Sequence, residues 1–227
     1  MDIKIPYTPR KHQSFLHNQI SKHRWSVLVC HRRFGKTVCM INHLIRSALL
    51  SKQKNPRFAY ISPTFKQSKS IAWDYMKQFT NKIPYIKFNE TELRVDLPNG
   101  ARITLLGSEN SDGLRGIYLD GCVIDEYANV HSKLFPEIIR PALSDRKGYC
   151  VFIGTPQGMN NNFYELYQHA QGADDWFNYK AKASDTKIVD EDELVKAKEV
   201  MGEKKYLQEF ECDWIANIEG AIFNDTL

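Results

Sequence analysis

Short apolar runs alternate along the chain with segments in which apolar residues recur every three or four positions. The runs predict buried strands, and the recurring pattern predicts amphipathic helices. Predicted strands cover residues 25–30, 58–62, 121–126, 148–154 and 176–181. Predicted helices follow residues 8, 37, 63 and 162, and two more cover 190–200 and 204–211. This alternation predicts an α/β fold with a mainly parallel central sheet flanked by helices.

One segment departs from the parallel pattern. Residues 92–97 and 102–106 both have strand character, and Asn99-Gly100 between them is typical of a tight turn. The sequence therefore predicts an antiparallel hairpin added to the parallel sheet. At the amino end, Thr8 and Pro9 have the residue types of a helix cap and a first helical position, so the first helix is predicted to start at Pro9.

The first predicted strand leads through a basic loop into a helix, and the loop ends in Gly35-Lys36-Thr37. A loop that feeds a helix N-terminus offers backbone N–H groups to a polyphosphate, with Lys36 reaching the β- and γ-phosphates and Thr37 holding Mg²⁺. The general P-loop pattern has a glycine where this chain has Cys30. A helix start with an ordinary surface lysine is the alternative interpretation.

Two adjacent carboxylates, Asp125 and Glu126, end a later apolar strand. In open α/β sheets ligands bind at the carboxyl ends of the strands, so both side chains are candidates for a site shared with Lys36. We expect Asp125 to hold Mg²⁺ through water and Glu126 to polarise the water that attacks the γ-phosphate. Thr155 follows another strand and either senses the γ-phosphate or belongs to a plain turn.

Composition narrows the class of protein. A formal charge of +4 and a pI near 8.7 allow an anionic partner without requiring one. The five cysteines are widely spaced without a C-x-x-C pair, and the seven histidines show no metal-ligand spacing, so we expect reduced core thiols and no structural zinc. No apolar signal segment or membrane-spanning run is present in the sequence, which predicts a cytosolic protein. We expect one α/β core over residues 1–183 and a helical C-terminal extension over 184–227.

Several short motifs follow one another along the chain. They are Pro9-Arg10-Lys11-His12-Gln13, Cys30 to Thr37, Ser62-Pro63-Thr64, Pro98-Asn99-Gly100, Leu114-Arg115-Gly116, Val123 to Glu126, Gly154-Thr155-Pro156 and Glu209 to Trp214. In this order the sequence resembles the ATPase domain of the large terminase subunit of tailed bacteriophages, the motor that pumps DNA into procapsids. That family often has an arginine-rich loop without the first glycine, as here. The resemblance implies a RecA-like P-loop ATPase of the ASCE group.

The resemblance also implies roles for single residues. Gln13, which by itself looks like a solvated helix glutamine, matches the residue that reads adenine. Arg32 matches an arginine that contacts the phosphates in cis, and Arg115 matches a finger that reaches the ATP of a neighbouring subunit. Glu126 is the catalytic carboxylate and Thr155 belongs to the motif that couples hydrolysis to movement. The ATP-binding loop then consists of Arg32, Arg33, Phe34, Gly35, Lys36 and Thr37.

The implied ligands and partners are ATP, Mg²⁺, double-stranded DNA, the portal protein, the small terminase subunit and further copies of the chain in a homo-oligomeric ring. The ring is expected to act in the host cell cytoplasm, away from any membrane. Lys66, Lys69 and Lys77 either face the DNA channel or form a solvated helix face. Members of the family usually carry a nuclease domain after the ATPase. We see no acidic cluster for it here, so we expect no DNA cleavage by this chain.

Two other functions remain open at this point. A helicase-type nucleic-acid-dependent ATPase fits Gln13 and the Asp125-Glu126 pair, but it needs motifs of a second RecA-like domain. A nucleotide-binding scaffold with little hydrolysis needs only the binding loop. Replacing Glu126 by glutamine separates a motor from a scaffold.

Overall fold

The computed structural model describes residues 4–215, apart from the side chains of residues 111–113. Its strands are β1 (Trp25–Cys30), β2 (Arg57–Ser62), β3 (Lys87–Asn89), β4 (Arg94–Asp96), β5 (Arg102–Gly107), β6 (Gly121–Ile124), β7 (Tyr149–Gly154) and β8 (Trp176–Ala181). Together they form one sheet in the order β3-β4-β5-β2-β6-β7-β1-β8. The neighbouring strands in the part ordered β5-β2-β6-β7-β1-β8 are parallel to one another. Strands β3, β4 and β5 pair antiparallel. The prediction of a mainly parallel sheet with an antiparallel hairpin is confirmed.

The helices are α1 (Lys11–Ile20), α2 (Lys36–Leu50), α3 (Phe65–Gln67), α4 (Trp73–Thr80), α5 (Arg140–Ala142), α6 (Asn162–Gln171), α7 (Ala183–Thr186), α8 (Glu191–Met201) and α9 (Glu203–Phe210). Short 3-10 segments cover Ser108–Leu114 and Tyr127–Asn129, and π-helical segments cover Ser68–Ala72 and Leu134–Ile139. Within residues 4–215, no helix has the length and hydropathy needed to cross a bilayer.

Core side chains lie on both faces of the sheet. Successive strand residues point to opposite faces, so Leu28 of β1 packs with α1, α2 and α4 while Val27 and Val29 pack with α6 and the segment around α5. All five cysteines are buried and unpaired, as the sequence predicts.

Helix α1 starts two residues later than predicted. Arg10, not Thr8, is the cap residue, and helical geometry begins at Lys11. The reason is local, because the Gln13 side-chain oxygen accepts the Arg10 backbone N–H at 3.0 Å and fixes the first turn there. Pro9 therefore precedes the helix.

The helix predicted after residue 63 is interrupted by the π-helical segment Ser68–Ala72. A π turn holds an extra residue, which shifts the direction of the side chains that follow. Ile71 and Tyr75 remain 50% and 37% exposed, and both face the cleft described below.

The C-terminal helices return to the sheet. Helices α8 and α9 share a small apolar cluster with Ala183, whereas Cys212 and Trp214 join the main core. The Cys212 thiol lies 3.2 Å from the carbonyl oxygen of Ala181 at the end of β8. The boundary at residue 183 stays a prediction, and residues 216–227 of the predicted extension lie outside the described part of the chain.

Candidate functional site

A cleft of about 770 Å³ opens at the carboxyl ends of β1, β6 and β7. We call it the cleft. It is lined by Arg10, Arg32, Arg33, Gly35, Lys36, Thr37, Val38, Ile71, Tyr75, Asp125, Glu126, Thr155 and Glu209. The structure thus brings the predicted loop, both carboxylates and Thr155 to one place.

The loop between β1 and α2 bends sharply at Gly35, which has a positive φ of 88°. Glycine suits this position because other residues rarely adopt that conformation, and an added Cβ would lie 3.1 Å from the Gln13 amide nitrogen. The Lys36 ammonium donates to the carbonyl oxygens of Cys30 and His31 at 2.9 and 3.2 Å. The loop therefore curls around the lysine at the start of a fifteen-residue helix, whose N-terminus favours an anion.

Phe34 does not face the cleft. Its side chain is 1% exposed and packs edge-on against the rings of His12 and His31. Any contact that Phe34 makes with a nucleotide must therefore come from its backbone. The ring anchors the loop to the core.

Gln13 is buried, so the interpretation as a solvated helix residue is wrong. It is 4% exposed, and its amide nitrogen donates to the carbonyl oxygen of Gly35 at 3.3 Å. Gln13 is not one of the described residues that line the cleft, whereas Arg10 is and also donates to the Phe34 carbonyl. Contact between Gln13 and adenine stays a prediction.

Asp125 lies on the floor of the cleft directly after β6. One carboxylate oxygen accepts the Tyr60 hydroxyl, and the other accepts the backbone N–H of Glu126 at 2.8 Å. Burial raises the pKa of Asp125, while Tyr60 and Lys36 oppose that increase. Tyr60 therefore holds Asp125, one of the two predicted metal ligands, in place. Nothing in the sequence marks Tyr60 for this role beyond its place in a buried strand.

Glu126 has a left-handed backbone conformation with φ 47°. This conformation is uncommon for residues other than glycine and is often found at functional sites. Burial raises the pKa of its carboxyl group most, and the nearby Asp125 and Glu209 add to that effect, whereas Lys36 and Arg32 lower it. Glu126 is therefore a stronger base than an ordinary exposed glutamate.

Arg32 is held by helix α9. Its backbone N–H donates to the carbonyl oxygen of Glu209 at 2.7 Å, and its guanidinium lies 3.9 Å from the Glu209 carboxylate. The Arg32 side chain is 61% exposed, so this ion pair is weak. Glu209 also pairs with Lys205 at 2.9 Å. Helix α9 thus adds a carboxylate to the cleft.

Thr155 is 8% exposed and lines the cleft after β7. The next residue, Pro156, accepts a hydrogen bond from the Gln208 side chain of α9 at 2.6 Å. Helix α9 therefore contacts both the loop after β1 and the loop after β7.

Arg115 lies apart from these residues. It is exposed, follows the 3-10 segment Ser108–Leu114, and is not one of the described residues that line the cleft. Arg33, by contrast, has a positive φ of 70° and lines the cleft with Arg32.

Arg10, Ile71, Tyr75 and Glu209 line the cleft but were not assigned a role from the sequence. Arg10 and Glu209 could have been found from the sequence, because both belong to motifs that carry the family resemblance. Ile71 and Tyr75 had none, because an apolar residue in a helical pattern predicts burial.

Oxygen donors in the cleft fit a magnesium ion. Asp125 and Thr37 supply a carboxylate and a hydroxyl, the ligand types that Mg²⁺ prefers, and Tyr60 orients the carboxylate. Within residues 4–215, no cluster of three or more histidine, cysteine, aspartate or glutamate side chains could hold a metal ion alone. Such a site would therefore depend on water and phosphate for its other ligands, as is usual for Mg²⁺.

A strand, a loop with Gly-Lys-Thr, a helix and an acidic pair that follows β6, two strands away from β1 in the sheet, define a P-loop-type nucleotide-binding protein. Residues 29–227 match the family described as "Terminase large subunit, T4likevirus-type, N-terminal". The chain belongs to this family.

Relatives agree with that assignment. The chain is 25% identical to the terminase large subunit of Thermus virus P23-45 over 182 residues, which are 72% of this chain and 36% of that protein. It therefore spans about a third of this curated relative. The large terminase ATPase domain of Thermus phage P74-26 has the same fold, with a TM-score of 0.78 at 20% identity over 93% of this chain and 96% of that one. The large terminase of another thermophilic bacteriophage, in complex with ADP, matches with a TM-score of 0.77 at 15% identity, over 90% of this chain and 53% of that one.

Proposed function

We propose that this chain is the ATP-hydrolysing motor part of a terminase large subunit and drives double-stranded DNA into a viral procapsid in the host cytoplasm. The observation that carries the proposal is the cleft in which Lys36 and Thr37 lie together with Asp125 and Glu126. A relative of the same fold binds ADP, which supports a nucleotide as the ligand of this cleft.

Each residue of the cleft has a separate role in phosphoryl transfer. Lys36, now bonded to two loop carbonyls, exchanges them for phosphate oxygens when the nucleotide enters. Arg32 exchanges its weak pair with Glu209 for a contact to the terminal phosphate. Glu126 orients the attacking water and takes its proton, for which a raised pKa is an advantage. Asp125 and Thr37 would hold Mg²⁺, which neutralises charge on the phosphates when bound.

The apolar side of the cleft is suited to the base of the nucleotide. Ile71 and Tyr75 lie there with Val38, and the Tyr75 ring stacks on Phe79 with ring centroids 6.4 Å apart. An aromatic ring held in this way is a rigid stacking surface. Gln13 contributes by holding Gly35, and any contact that it makes to adenine requires its amide to leave that carbonyl.

A homo-oligomeric ring accounts for Arg115. An arginine that is exposed and outside its own cleft can reach the cleft of a neighbouring subunit, where it would neutralise charge on the transferring phosphoryl group. The ring would act with the portal protein and the small terminase subunit.

The test is ATP turnover per subunit, measured against protein concentration for the wild type, Lys36→Ala, Arg115→Ala and Glu126→Gln. We expect wild-type turnover to rise with concentration, and Lys36→Ala to lose ATP binding. Glu126→Gln should keep ATP bound without turnover, and Arg115→Ala should bind ATP but lose the concentration-dependent rise. Unchanged turnover in Glu126→Gln would contradict a hydrolytic motor and favour a nucleotide-binding scaffold.

A further inference from the structure

A second pocket lies at the opposite edge of the sheet from the cleft. It has a volume of about 450 Å³ and is formed by the turn after α1, the second half of α2 and the residues before β6 and β7. We call it the amino-edge pocket, because it lies at the amino ends of the parallel strands. Its lining is Ile20, Ser21, Lys22, His23, Arg24, His43, Arg46, Ser47, Leu50, Asp120, Lys147 and Tyr149.

Three exposed cations converge on this pocket from three separate elements: Lys22, Arg46 and Lys147. Among residues 4–215, no side-chain hydrogen bond or carboxylate partner exists for any of the three. The carboxylate in the described lining, Asp120, is already engaged by the Arg57 backbone N–H at 2.7 Å and by the Arg146 guanidinium at 3.4 Å.

A fourth cation forms a fixed wall of the pocket. Arg24 donates to the carbonyl oxygens of Gly148 and Leu143 at 3.0 and 3.1 Å, and its guanidinium lies over the Trp25 ring. Like charges gathered in a concave site repel one another, and a bound anion relieves that repulsion. The pocket is therefore built for a negatively charged ligand.

Further cations continue from the pocket along the sheet. We call them the basic band: Arg24 before β1, Arg146 and Lys147 before β7, and Lys54 and Arg57 at β2. These strands lie in the part of the sheet ordered β2-β6-β7-β1. Neighbouring strands lie about 4.8 Å apart, so the basic band is roughly 14 Å long. A row of cations of this length suits a linear polyanion better than a small ion.

We propose that the amino-edge pocket and the basic band bind the phosphodiester backbone of duplex DNA. The proposal rests on the proposed function, in which DNA is the substrate, and names the surface that holds it. Six-residue β1 joins the two edges, so the bound DNA and the cleft lie roughly 20 Å apart and can be occupied together.

Lys66, Lys69 and Lys77, the DNA-binding candidates from the sequence, are less suited to DNA than the amino-edge pocket. Lys77 is engaged by Asp74 at 3.6 Å and by Glu90 at 3.3 Å. Lys66 and Lys69 are exposed near the carboxyl edge, on and beside α3. They provide a matched pair for comparison, since they carry the same charge as Arg46 and Lys147.

The experiment measures anisotropy of a labelled 30-base-pair duplex with the full chain between 50 and 200 mM salt. Arg46→Ala/Lys147→Ala is compared with Lys66→Ala/Lys69→Ala. We expect the first variant to bind roughly tenfold more weakly at 100 mM salt and to lower the salt slope by about 2, since each lost phosphate contact removes about 0.9. The second variant should match the wild type. Lys22→Glu, which reverses one charge in the pocket, should also weaken binding.

Wild-type affinity and salt slope in Arg46→Ala/Lys147→Ala, or a loss confined to Lys66→Ala/Lys69→Ala, would overturn the proposal. So would inorganic phosphate that saturates the pocket at millimolar concentration while the double variant still binds the duplex normally. ATP turnover and thermal unfolding of each variant are measured in parallel and should equal those of the wild type. If Glu126→Gln abolishes turnover while the pocket variants leave DNA affinity unchanged, the DNA surface is wrong and the proposed ATPase stands.

Discussion

Glu126 and its neighbours show how single residues set the chemistry of the cleft. Its buried carboxyl group has two more carboxylates nearby, which raise its pKa further, whereas Lys36 and Arg32 lower it. A general base must be ionised to act, so the raised pKa moves the acid limb of turnover to higher pH than an ordinary glutamate near 4.3 would give.

Glu209→Gln should move that acid limb to lower pH. The change removes a negative charge that raises the pKa of Glu126, and it frees Arg32, whose charge lowers the same pKa. The measurement is kcat between pH 5 and 9. Glu203→Gln, on the same helix but paired with exposed Lys198, is the control and should leave the limb in place. An identical acid limb in both variants would refute the influence of Glu209.

Tyr60→Phe should destabilise the fold by about 1.5–3 kcal/mol, because it removes a hydrogen bond from the buried carboxylate of Asp125. Tyr149→Phe is the matched control, since it removes a bond to the neutral Ser47 hydroxyl and should cost about 1 kcal/mol. Urea unfolding at pH 7 measures both. Equal losses would mean that the carboxylate does not depend on Tyr60.

At the scale of elements, helices α1 and α2 are joined by a buried histidine pair. The rings of His17 and His43 stack with their Nδ1 atoms 3.1 Å apart, and Tyr7 contacts the other nitrogen of His17 at 3.0 Å. Burial lowers the pKa of His17 to about 4 and that of His43 to about 3. Both rings are therefore neutral in the folded protein at pH 7.

This pair should make the fold sensitive to acid. Between an unfolded pKa near 6.5 and the folded values, the unfolded chain binds more protons, so stability falls as pH decreases through that window. For His17 the loss from pH 7 to pH 5 is on the order of 2 kcal/mol. Urea unfolding of His17→Gln should lose less over the same range. The exposed His131→Gln should follow the wild type, and a His17→Gln variant that did so too would contradict the prediction.

The whole molecule is incomplete as a catalytic unit if Arg115 acts in trans. Its exposure and its absence from the described lining of the cleft fit that role. The consequence is that two inactive subunits can complement each other.

A mixture of Arg115→Ala and Glu126→Gln should reach a higher ATP turnover than either variant alone. The Glu126→Gln subunit supplies Arg115 to a neighbouring Arg115→Ala subunit, whose own cleft is intact. Mixing Lys36→Ala with Glu126→Gln is the control and should stay inactive, because both clefts are damaged. Turnover of the first mixture no higher than that of the control would rule out action in trans.

The sequence by itself determined the mainly parallel sheet with its hairpin, the loop and the acidic pair, but neither strand β3 nor the order of the strands. Apolar runs can be recognised directly, and Gly35-Lys36-Thr37 and Asp125-Glu126 are contiguous in the chain, so both motifs can be recognised without knowledge of distant contacts. The start of α1 was missed because a side-chain bond from Gln13 overrides local propensity. The π-helical turn was missed because nothing in the helical pattern of the sequence marks it.

Only the tertiary structure decided which distant residues join the site. Glu209 reaches Arg32 across most of the chain, and Tyr60 reaches Asp125 from another strand, because parallel strands bring their ends to a common edge. The same geometry gathers Lys22, Arg46 and Lys147 at the opposite edge. No local pattern in the sequence marks such sets, since their members share only a position in space.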